Sequence, residues 1–220
     1  MSEDERWRDW FEANRALMED AYLHGQSAWQ QSGVGLHTPR DERAWRVMRR
    51  PVMDSLLTEL SDEQRMRPVN FVDIGCANGY LLECCVAWAR ESGVTLVPWG
   101  LDISAKLVAL ARRRLPDDAQ NLFVGNAWSW TPPRRFDAVR TELVYVPKPL
   151  RQRFVERLSD RYLSDGGLLL AAEYAGHTPE GETTTLTIDA ALRGWGYTVL
   201  STHSAVWEGV ERTRVAVLRR

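Results

Sequence analysis

From Pro68 onward, short apolar runs alternate with helix-length amphipathic segments, and this alternation leaves the chain few folds. VNFVDI, TLVPWGLD, NLFVGN, FDAVRTELVYV and GGLLLAAEY are strand candidates, with GYLLECCVAWARE, SAKLVALARRRL and PLRQRFVERLSDRYL as the helices between them. A strand can reach a parallel neighbour only through a crossover, and a helix laid on the sheet supplies it. The order therefore predicts an α/β, three-layer architecture with a mostly parallel sheet between helices. The tail departs from the pattern. A helix around Thr184 to Arg193 precedes GYTVLSTHS and RTRVAVLRR, joined by the turn-rich AVWEGVE, which predicts a C-terminal antiparallel hairpin.

Residues 1–60 read as an N-terminal helical cap and residues 61–220 as the core, one domain overall. Trp7, Trp10, Phe11, Leu17, Met18 and Ala21 recur with a 3.6-residue period, and acidic residues crowd the first turn, where the helix dipole favours anions. The stretch from His24 to His37 is rich in Gly, Ser and Gln and reads as a loop. Thr38 is the expected cap of the next helix, with Pro39 in its first turn, Asp41 capping back and a bend near Pro51.

Lys plus Arg is 28 and Asp plus Glu is 30, so a net charge of −2 offers no general attraction to nucleic acid or anionic lipid. The acidic start lacks the pattern of a secretory signal and no run is long enough to span a bilayer, which predicts a cytoplasmic protein. Three cysteines, two of them adjacent at Cys84 and Cys85, match neither a disulfide framework nor a metal site. No metal is expected.

FVDIGCANGYLLE reads as strand, glycine-containing turn and helix, the place where an open α/β sheet binds its ligand. Tested against the dinucleotide fingerprint, Gly75 and Ala77 fit its first two positions, but the third small residue falls at Tyr80. That disfavours a pyrophosphate. Asp73 at the strand end, with Gly75 and Gly79 admitting close backbone approach, suits a ligand with an ammonium group and no phosphate, such as S-adenosylmethionine. Asp102 ends the next strand, where a carboxylate can accept from two ribose hydroxyls or cap the helix at Ser104, a role Ser104 could fill equally. The third strand ends at Gly125-Asn126-Ala127-Trp128, where an amide can pair with an adenine edge and an indole can cover the ring.

The set FVDIGCANGYLLE, WGLDIS, FVGNAWSW and RFDAVRTELVYVP resembles, in order and spacing, the class I (Rossmann-like) S-adenosylmethionine-dependent methyltransferases over roughly residues 68–220. The phrases VALARRRLP, VGNAW, TPPRRFD and RTELVYVP further resemble compact actinobacterial small-molecule methyltransferases. The resemblance implies a seven-stranded sheet whose last strand is antiparallel. It places Asp73, Gly75 and Gly79 around the methionine part of the cofactor and Asp102 at the ribose, with Cys76, Ala77, Asn78 and Ile103 as further cofactor-binding residues. Asn126, Ala127 and Trp128 would lie at the adenine, and Glu142 by both cofactor and acceptor. Ala77 stands where a glycine is frequent.

Arg140-Thr141-Glu142-Leu143-Val144-Tyr145 lacks the Asn/Asp-Pro-Pro-aromatic signature of adenine amino-methylation, and no cysteine follows the fourth strand. The expected reaction is methyl transfer to an O or N atom of a small metabolite or natural product. RNA or protein methylation, with Arg112-Arg113-Arg114 and Arg134-Arg135 touching phosphates, and a catalytically inactive cofactor-binding homologue are the alternatives. Candidates to take a proton are Glu142, Tyr145 and His24, with His37 and His177 as further histidines near the acceptor. Tyr22, Trp29, Trp45 and Tyr145 are expected to wall the acceptor pocket, although Tyr22, Trp29 and Trp45 could equally bury the N-terminal helix. A homodimer is compatible with the sequence.

Overall fold

The computed structural model describes residues 3–32, 41–176 and 185–220. Seven strands form one sheet: β1 (Val69–Ile74), β2 (Leu96–Asp102), β3 (Leu122–Val124), β4 (Phe136–Glu142), β5 (Leu163–Tyr174), β6 (Ser201–Trp207) and β7 (Val210–Arg219). Their order is β3-β2-β1-β4-β5-β7-β6, parallel through β5 and antiparallel at β7 and β6. This is the doubly wound sheet with a closing hairpin that the alternation of apolar runs implies. Chain order reverses between β1 and β4, so the strand ends on either side of that point form a crevice.

The helices are α1 (Glu3–Leu23), α2 (Glu42–Arg49), α3 (Pro51–Glu59), α4 (Asp62–Arg65), α5 (Tyr80–Glu91), α6 (Ala105–Arg114), α7 (Arg151–Arg157) and α8 (Ile188–Gly194). Alternate residues of the central strands feed opposite layers. Phe71, Ala138, Leu170 and Val215 pack with Met53 and Leu56 of α3, Leu82 and Cys85 of α5 and Val108 of α6. Val72, Val139, Ala171 and Ala216 pack with Phe154 of α7 and Leu192 of α8. All three cysteines are buried and free.

Of the segment before β1, α1 reaches the strand ends, whereas α2 and α3 clamp the face of the sheet at β5, β7 and β6. Asp41 is the cap of α2, its carboxylate accepting from the Ala44 amide at 2.7 Å, whereas Thr38 and Pro39 lie outside the described residues. The expected bend is a break between α2 and α3 at Arg50, because Pro51 cannot continue the hydrogen-bond ladder. Of the periodic face of α1, Phe11 is buried, but Leu17 and Met18 stay exposed although apolar.

Two boundaries differ from the sequence reading. The final hairpin has a two-residue turn, Glu208-Gly209, in place of the seven-residue stretch AVWEGVE, because both residues adopt positive φ (52° and 75°), the geometry that matches strand twist. The helix opening that chain ending starts at Ile188, and Thr184 lies outside the described residues. No helix among the described residues is long and apolar enough to cross a membrane.

Candidate functional site

The ends of β1, β2, β4 and β5 and the chain just beyond β3 open onto a cavity of about 1200 Å³, which α1 roofs. Its floor starts at the turn after β1. The Gly75 and Cys76 amides donate to the Leu101 carbonyl at 2.7 and 3.1 Å, tying the turn to β2. Gly75 (φ 79°) is on the cavity wall with the Tyr145 ring against it, so a Cβ there would come within 2.4 Å of that ring. Gly79 (φ 76°) is needed for packing, since its Cβ would stand 3.0 Å from that of Ala111 on α6. Ala77 adopts φ 46°, a left-handed conformation that explains the glycine frequent at its position in the family it resembles.

Gly75 is on the wall of the cavity, and Cys76, Ala77, Asn78 and Gly79 are behind it. The Cys76 thiol packs beneath Gly100, and burial pushes its pKa well up. Asn78 accepts from the Tyr80 amide at 3.1 Å and donates to the Ala28 carbonyl at 2.9 Å, linking the turn to the N-terminal clamp.

Asp102 is on the wall. Its two oxygens accept from the Ala77 amide at 2.9 Å and the Ser104 amide at 2.8 Å, which leaves further lone pairs on both. Burial pushes its pKa up to about 6 against the pull of those two bonds. Of the two cap candidates for α6, Ser104 does the work, its hydroxyl accepting from the Leu107 amide at 3.2 Å. The same hydroxyl donates to Glu19 of α1 at 2.8 Å. Glu19, absent from the sequence reading, is buried and also binds Lys106 and Arg15, which with Ser104 hold its carboxyl below the ordinary range.

Ile103, Asn126 and Ala127 line the cavity beside Asp102. The Asn126 side-chain oxygen Oδ1 accepts from the Trp128 amide at 2.9 Å, a turn cap. Trp128 itself is off the wall, with the Arg153 guanidinium 5.5 Å over its ring, so the indole expected to cover a ligand ring packs toward α7.

An ionic group lies at the β1–β4 junction. The parallel register sets Asp73 beside Arg140, whose side chain is 2% exposed. Arg140 donates to Asp73 at 3.1 Å, Glu142 at 2.5 Å, the Tyr145 hydroxyl at 3.1 Å and the Tyr174 hydroxyl at 3.0 Å, and Tyr145 donates to Glu142 at 2.7 Å. Asp73 Oδ2 is buried without a hydrogen-bond partner among the described residues, and burial pushes this carboxyl up to about 6 against the attraction of Arg140. Two carboxylates face the Arg140 guanidinium, and Arg49 brings a second cation onto the Tyr174 ring. The sequence signal for the Arg140 group was a lone arginine inside the apolar strand FDAVRTE.

Tyr22 lines the cavity, and its phenol is held far up by burial and by the Glu142 and Asp102 carboxylates. Arg49 reaches the same wall from α2, buried and 3.6 Å over the Tyr174 ring. Three other proposed side chains are elsewhere. His24 follows the end of α1, exposed, against the Asp20 carbonyl. Trp45 is fully buried, donating to the Ser32 carbonyl at 3.1 Å with its ring 4.8 Å from that of Tyr80. Trp29 packs on the same core, so these indoles bury the N-terminal segment. His37 and His177 lie outside the described residues. The aromatic walls come from Tyr22, Tyr145 and Tyr174 together with Trp10 and Phe11 of α1 and Trp207 at the hairpin. Helical periodicity marked Trp10 and Phe11, whereas nothing in the sequence tied Trp207 to the site. Among the described residues no cluster of His, Cys, Asp or Glu could hold a metal.

No protein-family model matches the sequence. A search of curated proteins likewise gives no match. Solved structures do share the fold. The chain is similar to magnesium protoporphyrin IX methyltransferase (ChlM) from Synechocystis PCC 6803 with bound S-adenosylmethionine, at 17% identity, TM-score 0.57, covering 100% of this chain and 98% of that one. A 1,6-didemethyltoxoflavin-N1-methyltransferase from Burkholderia thailandensis, bound to 1,6-didemethyltoxoflavin and S-adenosylhomocysteine, shares 15% identity over 97% of this chain and 89% of that one, TM-score 0.65. The cyclase SpnF shares 16% identity over 93% and 92%, TM-score 0.60. The chain thus has the class I methyltransferase fold, which also carries a cyclase.

Proposed function

We propose that this chain is an S-adenosylmethionine-dependent methyltransferase acting on an O or N atom of a small metabolite or natural product. The observation that carries the reading is Asp102, a carboxylate with free lone pairs on a cavity wall, next to the glycine turn of β1 in this fold. In this role Asp102 accepts from the ribose hydroxyls, and Ile103, Asn126 and Ala127 receive the adenine. Glu142 on the cavity wall, with Asp73 buried behind it, attracts the ammonium of the methionine part. The orphaned Asp73 oxygen fits that demand. Cys76, Ala77, Asn78 and Gly79 act by shaping the turn.

The bound cofactor supplies a methyl group already activated on a sulfonium. What remains for the protein is to align the acceptor and exclude water, with proton removal only where the acceptor is protonated. α1 serves the first two needs, bringing Tyr22 and its apolar residues over the cavity and locking through Glu19. Glu142 at the end of β4 is our candidate to take a proton, with the Tyr145 hydroxyl that donates to it as a relay. A cytoplasmic location and kinship with compact actinobacterial enzymes belong to the same proposal.

The RNA alternative loses its strongest feature. Arg112 binds the Leu122 carbonyl and Arg114 the Asn78 carbonyl and Glu83, so two of the three clustered arginines are used within the protein. The cyclase neighbour keeps a non-methylating reading open as the second hypothesis, because one fold hosts several chemistries. Substituting Asp102→Ala tests the cofactor site. We expect S-adenosylhomocysteine affinity to fall about 30-fold, the loss of about 2 kcal/mol of charged hydrogen bonding. Unchanged affinity would remove Asp102 from the site.

A further inference from the structure

We propose that the acceptor is a largely apolar molecule bearing an acid group, and that Arg212 at the β5–β7 end of the cavity receives that acid. The inference rests on the methyltransferase reading of the same site. Exposed apolar side chains are normally scattered singly, yet Leu17 (61% exposed), Met18 (39%) and Val144 (55%) all line this one cavity, together with Trp10 and Trp207. Apolar side chains left exposed around one cavity fit an apolar ligand. Pockets of roughly 300–1000 Å³ hold one drug-sized ligand, and this cavity of about 1200 Å³ has room for cofactor and acceptor together.

The charge comes from the cations on that wall. Arg15 is engaged by Glu12 and Glu19. Arg49 lies buried on Tyr174, at the end of the cavity that holds Tyr22 and the Arg140 group. Arg212, beside the Thr213 that pairs with Tyr174, is the third. It is half-buried on β7, its carbonyl accepting from the Ala175 amide just past the end of β5 at 2.9 Å, and it shares the rim with Trp207. Its neighbour Glu211 is taken by Arg214 at 2.6 Å and by Ser204. Glu208, exposed at the hairpin turn on the same rim, forms no ion pair with Arg212 among the described residues. A guanidinium beside an apolar wall recognises a carboxylate carried on an apolar body, with the acid as anchor and the reacting atom toward Glu142 and Tyr145.

Pyrenebutyrate and pyrenebutanol share ring and chain and differ in charge, so their fluorescence titration into the full-length protein, with and without S-adenosylhomocysteine, tests this directly. The acid should bind about tenfold tighter than the alcohol. Arg212→Gln should abolish that preference and leave the alcohol's affinity unchanged. Leu17→Asp, at an exposed position that folding does not need, should weaken both probes. Equal binding of the two probes, no binding of either, or a preference that survives Arg212→Gln would overturn the inference, and unchanged binding in Leu17→Asp would overturn its apolar half. S-adenosylhomocysteine is titrated into the same samples. Its binding without an acid preference defeats this inference alone, whereas an acid preference without its binding defeats the methyltransferase reading and leaves the acid-binding pocket standing.

Discussion

Asp102 and Ala77 meet in one hydrogen bond, and each holds a state that its surroundings disfavour. Ala77 keeps a left-handed backbone although it has a Cβ, a strain of about 1 kcal/mol that glycine would not carry. Ala77→Gly should therefore raise the melting temperature by about 2–4 °C, and an unchanged or lower melting point in thermal unfolding would show that the turn is relaxed as it stands. Asp73 and Asp102 are both pushed up to about 6, above the ordinary carboxylate value they regain on unfolding. The folded state then binds protons more tightly, so what these two groups contribute to stability is full at low pH and is lost as pH rises through 6. Cofactor binding follows the opposite course, because an ammonium and two hydroxyls favour the ionised carboxylates. Affinity for S-adenosylmethionine should rise as pH goes from 5 to 7.5, with proton release near pH 6. Calorimetry in buffers of different ionisation enthalpy checks this, and a flat profile would separate both carboxylates from the ligand.

At the scale of elements, α1 decides whether the cavity is roofed. It is fastened to α6 chiefly through Glu19, which is bound by Ser104, Lys106 and Arg15. Glu19→Ala should free the helix while Ser104 goes on capping α6, so proteolysis within α1 should speed up and cofactor affinity fall about tenfold. Full affinity with a protease-sensitive α1 would deny the helix its role as a lid. The hairpin is the second element that shapes the cavity. Glu208 and Gly209 turn it within two residues and so carry Trp207 and Arg212 to the rim. This could not be read from AVWEGVE, whose Gly and Glu equally suit a longer loop.

For the whole molecule, what was legible followed from periodicity and from strand-end residues. Apolar runs spaced by helices dictated the parallel sheet, and Asp102 and Gly75 fell on the cavity wall because a strand end in this topology has nowhere else to point. The illegible part depended on contacts distant in sequence. Arg140 acquires its meaning only when register sets it beside Asp73, and Glu19 only when α1 crosses α6. Trp29, Trp45 and Trp128 misled for the converse reason, since an aromatic near a site in sequence serves the core as readily as a ligand.

The central claim is that this crevice binds S-adenosylmethionine, and calorimetric titration of the purified chain with S-adenosylmethionine and, separately, with NAD tests it most directly. We predict saturable one-site binding of S-adenosylmethionine and none of NAD, in keeping with Tyr80 where a dinucleotide loop needs a small residue. Binding of NAD alone, or of neither ligand, would contradict the account and leave the chain with the fold but without the cofactor.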